Sequence, residues 1–235
     1  MTVVGGVAGE ALAFWVVCSH QVQLAQARHA AEAQEFFESN KDALRKHGLI
    51  SGVMRVESDL NRQARLIANH PDLAPIAEEF GARFVVVPIS ADTRQQAEAT
   101  HLELLAEHGI ELVILAKYMQ VLSPAFLTAF DPPDAFHRVI NIHHSFLPAF
   151  KGAQPYHRAW ERGVKLIGAT AHYVTEELDG GPIIAQSTVS VSHRDEVEDL
   201  IRKGRDTERL ALARAVRLHL KRQVIVYRGR TAVFA

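Results

Sequence analysis

From residue 65 onward the chain alternates short, β-branched apolar runs with stretches of helical spacing, and this alternation restricts the fold more than any other feature. Residues 65–68 (RLIA), 84–89 (FVVVPI), 112–116 (LVILA), 139–143 (VINIH), 165–174 and 183–191 read as strands, the second and third of them buried. Helices are expected between them: over DLAPIAEEF with Gly81 as its stop, over 91–109, around 124–130 and over 153–163. Residues 193–223 read as a long amphipathic helix with Leu210, Leu212 and Val216 on its packing face. A hairpin of 224–227 and 231–234 follows. Strands and helices at this spacing predict an α/β fold, a mostly parallel sheet covered on both faces. The first 58 residues differ. A strand at 12–18, a long helix at 21–47 and a second strand at 49–57 make one β-α-β pass, too small to bury much core alone.

Composition removes several function classes. Lys plus Arg (26) against Asp plus Glu (27) gives a formal charge of -1, so no basic surface for nucleic acid is expected. Cys18 is the single cysteine, which rules out an internal disulfide framework and a cysteine-rich zinc site. No apolar stretch approaches the roughly 20 residues of a membrane span. The start of the chain lacks a basic region and carries Glu10 ahead of its apolar run, a poor signal peptide, so a cytoplasmic protein is expected.

The chemistry is concentrated in two segments. In HRVINIHHSFLPAFKG (137–152) a strand of period two puts Asn141 and His143 on one side, at the carboxyl end where α/β sheets meet their ligands. A carboxamide can donate to a developing oxyanion, and an imidazole can exchange protons near neutral pH. From spacing alone the commoner reading is a satisfied polar pair at a strand end. In HYVTEELDGGP (172–182) a strand runs into an acidic loop, where Gly180 and Gly181 permit unusual backbone geometry and so let the turn press Asp179 into a site. Taken alone, that loop reads more readily as a solvent-exposed acidic turn. Tyr118 and Met119, just past LVILA, read as pocket wall or as core. The chain has 13 histidines, but His143 and His144 are adjacent and point to opposite faces, and no HExxH spacing occurs. No metal site is expected.

With these residues in place a resemblance can be stated. INIHHSFLPAFKGAQPYHRAWERGVKLIGATAHYVTEELDGGPIIAQ resembles the core of the formyltetrahydrofolate deformylases, members of the folate-dependent formyltransferase superfamily. The likeness continues through VSVSHRDEVEDLIRKGRDTERLALARAV and back through LAKYMQVLSP to ANHPDL, about residues 66–235. The Asn-x-His and Leu-Asp-x-Gly-Pro strings are superfamily features; HHSFLPAF and GATAHYVT point to the deformylases. The resemblance implies a Rossmann-like formyltransferase sheet and hydrolysis of 10-formyltetrahydrofolate to formate and tetrahydrofolate, feeding purine biosynthesis and one-carbon balance. It implies catalytic roles for Asn141, His143 and Asp179. The pterin pocket would fall on the stretch 118–122 and the loop 175–179, with Tyr118, Met119, Gln120, Leu122, His172, Thr175 and Gly180 as its binding residues. No cofactor is implied, since folate is the substrate; the partners are 10-formyltetrahydrofolate and water, and a homo-oligomer is compatible with it. The alternatives are a folate-binding remnant without turnover and a formyltransferase with another acceptor. No glycine-rich phosphate loop follows the first strand, which argues against a glycinamide ribonucleotide acceptor.

The amino end departs from the pattern. Deformylases resembling this chain carry an ACT-type regulatory domain, of which AFWVVCS, EAQEFFE and VMRVE look like fragments. Residues 1–58 are therefore expected to be a truncated α+β ACT-like segment, and 59–235 the catalytic domain. Only residues 58–64 separate VMRVE from RLIA, fewer than the dozen or so a parallel crossover needs. The usual first strand–helix unit of the catalytic domain is expected to be missing, its place filled by 49–57 in a non-standard way, by a partner chain, or not at all.

Overall fold

The run at 112–116 offers no polar face to water and forms a buried strand, and the run at 139–143 forms a strand buried at all but Asn141. The computed structural model describes residues 14–19, 65–79, 82–90, 92–118, 120–132, 137–149 and 154–234. The expected helix at 21–47 and strand at 49–57, and with them most of the ACT-like segment, lie outside the described residues. The chain divides into two compact units, the first with Met1 and Trp15–Val113 and the second with Thr2–Phe14 and Ile114–Ala235. The architecture is α/β with a mostly parallel sheet, as the alternation predicts.

In the first unit, β1 (Phe14–Ser19), β2 (Arg65–Ala68) and β3 (Arg83–Val86) lie in the order β3-β2-β1, with β2 and β3 parallel. The AFWVVCS run, expected as an ACT-like strand, is thus hydrogen-bonded beside β2 in the same sheet. Strand β3 is shorter than expected and not fully buried: Val86 is 39% exposed. It stands last in the strand order, and Pro88 has no N–H to continue a ladder. Helix α1 (Ala74–Glu79) follows β2, and α2 (Arg94–Glu107) follows β3. The start of α2 is delayed to Arg94 by a reciprocal turn. Ser90 N–H donates to Thr93 Oγ1 at 2.9 Å and Thr93 N–H to Ser90 Oγ at 3.2 Å.

Strand β4 (Ile110–Ala116) carries the chain into the second unit, where the order is β4-β5-β6-β7. These are β5 (Val139–His143), β6 (Leu166–Tyr173) and β7 (Ile183–Ser190). Strand β6 runs antiparallel to both of its neighbours. For β6 and β7 the reason is length: the nine residues 174–182 between them cannot make a parallel crossover. The longer connection from β5, which contains α4 (Pro155–Glu161), would have allowed either direction. Helix α3 (Pro124–Phe130) starts where expected because Ser123 Oγ accepts Phe126 N–H at 3.1 Å and Pro124 opens the first turn. Helix α5 (Val197–Leu220) opens with a reciprocal capping box between Glu196 and Asp199. It buries Leu200, Thr207, Ala211, Leu212, Ala215 and Val216 along one stripe, whereas Leu210, expected on that face, is 62% exposed. Gly204 belongs to the stripe because a Cβ there would lie 2.1 Å from the Tyr156 hydroxyl of α4. The chain ends in the hairpin of β8 (Val224–Tyr227) and β9 (Arg230–Val233). Among the described residues no helix is long and apolar enough to cross a membrane.

One contact in this unit makes stability depend on pH. The Tyr173 hydroxyl, at the end of β6, shares a hydrogen bond with Nδ1 of the buried His219 in α5 at 2.9 Å. Burial pushes the His219 pKa down to about 4, against a partial upward pull from Asp131. The unfolded chain, with an ordinary histidine near 6.5, binds the extra proton first as pH falls. This stability is therefore complete above pH 6.5 and drains away between 6.5 and about 4. Acidification from pH 7 to 4.5 is expected to cost about 2–3 kcal/mol at this site. Denaturant midpoints across that window check it, with a flatter profile expected for His219→Asn.

Candidate active site

Antiparallel pairing of β5 with β6 places Asn141 opposite His172 and His143 opposite Thr170, so all four side chains share one face of the sheet. Within that face the polar atoms are ordered. His172 is 2% exposed, and its Nδ1 lies 2.8 Å from the Tyr173 carbonyl oxygen. A carbonyl can only accept, so Nδ1 carries the proton. Burial lowers the pKa of His172, against upward pulls from that backbone bond and from Asp179, and the ring stays neutral. Its Nε2 is then an acceptor, and Asn141 Nδ2 donates to it at 3.3 Å. The Asn141 carboxamide is thereby held with its NH2 end toward His172, leaving its second N–H free to point elsewhere.

The loop after β6 brings in the acid. Asp179 Oδ1 lies 3.2 Å from His143 Nδ1 and 3.9 Å from His172 Nε2, so it pairs with the first ring. Both partners of the close pair are buried, with side chains 8% and 7% exposed. The left-handed residue of this turn is Asp179 itself, at φ 53°, and neither following glycine has a positive φ. The sequence assigned the unusual geometry to the glycines; the acid adopts it, as Asp and Asn do more readily than most residues. Gly181 matters through close approach instead. A Cβ there would stand 1.8 Å from the Tyr173 carbonyl oxygen, the atom that fixes the His172 tautomer. Tyr173 N–H donates to the Pro182 oxygen at 2.9 Å and completes the docking of the loop on the end of β6.

A cleft opens beside these groups. It is lined by Asn141, His172 and Asp179 together with Tyr118, Gln120, Leu122 and Thr175, all anticipated from the sequence. Val121, Glu177 and Leu178, within the expected stretches 118–122 and 175–179, also line it, and so do Leu115 and Val174, which were not anticipated. Period-two continuation of the two strands would have found Leu115 and Val174. His143 is not a lining residue: it stands behind Asp179, and its Nε2 is buried with no hydrogen-bond partner among the described residues. Gly180 is off the lining, its N–H closing a turn onto the Glu177 oxygen at 3.1 Å, and Met119 lies outside the described residues. Among the described residues no three His, Cys, Asp or Glu side chains gather as a metal site.

This geometry suits acyl chemistry on a small neutral group. A donor amide, a paired imidazole and carboxylate, and a half-apolar cleft meet at one strand end. The family model described as formyl transferase matches residues 22–216. The chain belongs to the formyl transferase family. The match takes in residues 22–58, much of the segment expected to be ACT-like. Among similar proteins, the formyltetrahydrofolate deformylase of Synechocystis sp. is 56% identical over 185 residues, covering 79% of this chain and 61% of that protein. A crystal structure of a formyltetrahydrofolate deformylase from Burkholderia mallei superposes with a TM-score of 0.68 at 36% identity, covering 95% of this chain and 99% of that one. A glycinamide ribonucleotide transformylase from Symbiobacterium toebii superposes at 0.66 with 34% identity, over 72% and 79% of the two chains. This formyl transferase chain spans a little over half the length of the curated deformylases it matches, 61% for the one from Synechocystis.

Proposed function

We propose that the chain hydrolyses 10-formyltetrahydrofolate to formate and tetrahydrofolate. The observation that carries the reading is the convergence of Asn141, His172 and Asp179 at the wall of one cleft, with His143 locked behind Asp179 at 3.2 Å. The deformylase relatives support it, and so do the apolar residues Leu115, Val121, Leu122 and Leu178, which suit a flat heterocycle. In this reading the Asn141 N–H not engaged by His172 donates to the formyl oxygen as the carbon becomes tetrahedral. Asp179 positions the attacking water and orients the His143 ring. The water oxygen bonds to the formyl carbon and its proton passes to the His143–Asp179 pair. The carbon–nitrogen bond then breaks as that proton reaches the amine nitrogen, giving tetrahydrofolate and formic acid, which loses the second water proton to solvent as formate. The folate is the substrate and no cofactor enters the scheme. The formate released would serve purine synthesis and one-carbon balance.

The test is formate release from 10-formyltetrahydrofolate by the wild type and His143→Ala, each first confirmed as folded by circular dichroism. Release by the wild type, reduced about 10²- to 10⁴-fold in the variant, is the expected result. A folded wild type that quenches folate fluorescence and releases nothing overturns it in favour of a binding protein. Deformylation that begins only when an amine acceptor is added would establish a transferase.

A further inference from the structure

The face that carries Asn141 and His143 has a third polar row member. Thr170 lies directly across from His143 on β6, and Gln186 directly across from Thr170 on β7, so His143, Thr170 and Gln186 form one row over three strands. Thr170 is fully buried, amid the small apolar residues Gly168, Ala169 and Ala171. Its hydroxyl is committed in every direction. It donates to the Ser145 carbonyl oxygen at 2.8 Å, and accepts from Leu147 N–H at 3.0 Å and from Gln186 Nε2 at 3.0 Å. One donor and two acceptor positions are all that a hydroxyl has, so nothing is left for the neighbouring imidazole.

Its partners show what the saturation does. Ser145 and Leu147 belong to the turn that begins one residue after His143. Gln186 Nε2 holds the same turn a second time through the Leu147 carbonyl oxygen at 3.1 Å. The Ser145 hydroxyl closes it onto the Ala149 oxygen at 2.6 Å. The turn is therefore anchored to β6 and β7 by side chains, through buried backbone groups that would otherwise have no partner. The direction in which the chain leaves His143 is set at this point, and with it the placement of the ring against Asp179.

We propose that Thr170, seconded by Gln186, is a positioning residue that fixes His143 by clamping the turn at 144–149. The rate readout rests on the hydrolase reading; the spectroscopic one does not. Thr170→Val keeps the shape and removes the hydroxyl, and Thr170→Ser keeps the hydroxyl. For the valine variant kcat is expected to fall about 10- to 100-fold, since a displacement near 1 Å of a reacting group has that effect. KM for the folate should change less than about threefold, because the cleft is lined by other residues, and the serine variant should recover most of the rate. In nitrogen-edited imidazole spectra, assigned with His143→Ala, the His143 ring signals should move in the valine variant and return in the serine one. A valine variant with wild-type kcat, or one whose kcat falls while the His143 signals stay in place, overturns the proposal. Should the wild type release no formate, the hydrolase reading fails while the His143 signals still decide this one. Should Thr170→Val not fold, Gln186→Met removes one anchor of Leu147 and is read in the same way.

Discussion

Asp179→Asn is expected to lower the rate of formate release by about 10³- to 10⁴-fold while leaving the fold in place. The carboxylate accepts from His143 Nδ1 across 3.2 Å, so it selects the ring tautomer as well as its orientation. An asparagine in the same position can turn its NH2 toward that nitrogen, which demands a lone pair there and moves the ring proton to the other side. The backbone has no reason to object: Asp179 sits at φ 53°, a region that asparagine tolerates well. From sequence the loop reads as solvent-facing around this residue. The carboxylate is in fact 7% exposed, so a small stability loss, about 1 kcal/mol for the weakened hydrogen bond, accompanies the substitution. The decisive comparison is kcat against the thermal midpoint. A midpoint that collapses in proportion to the rate would make Asp179 a structural anchor and remove it from the chemistry.

What could be read from sequence follows from which signals are local. The runs at 112–116 and 139–143 and the short helix around 124–130 are complete in a few residues, and each element appears there, the first strand beginning two residues earlier, at Ile110. The pairing of Asn141 with His143 is equally local, because period two alone sets it. Contacts between strands are not. That Asn141 meets His172, and His143 meets Thr170, depends on the antiparallel register of β5 and β6, which no spacing within either strand encodes. Thr170 left one faint trace. In GATAH it and His172 are the polar residues two apart in an otherwise small apolar strand, the pattern already used for Asn141 and His143. Leu210 was misplaced for a related reason. Helix α5 packs on two of its sides and an apolar residue on its outer arc carries no sequence mark of exposure. The place of AFWVVCS in the sheet beside β2 was hidden by its distance along the chain from its neighbour.

The glycine pair after Asp179 separates a close approach from mere looseness. Gly181→Ala is expected to cost about 3 kcal/mol of stability and about 100-fold in kcat. The added methyl would fall 1.8 Å from the Tyr173 oxygen and 2.9 Å from its carbonyl carbon, both backbone atoms that no rotamer change can withdraw. Relief requires the loop to lift off β6. That breaks the bond from Tyr173 N–H to Pro182 and disturbs the carbonyl that holds His172 Nδ1, while Asp179 is drawn from His143. Gly180→Ala is the control. Its methyl would meet the Glu177 side chain at 2.4–2.6 Å, an exposed and flexible group that can swing aside, and its backbone is not left-handed. That variant is expected to retain stability within about 1 kcal/mol and activity within a few-fold. Thermal midpoints and kcat for the two variants, measured side by side, test the argument. Equal losses in both would mean that the turn depends on glycine flexibility in general, and that the fit of Gly181 against the Tyr173 carbonyl does not set the position of Asp179.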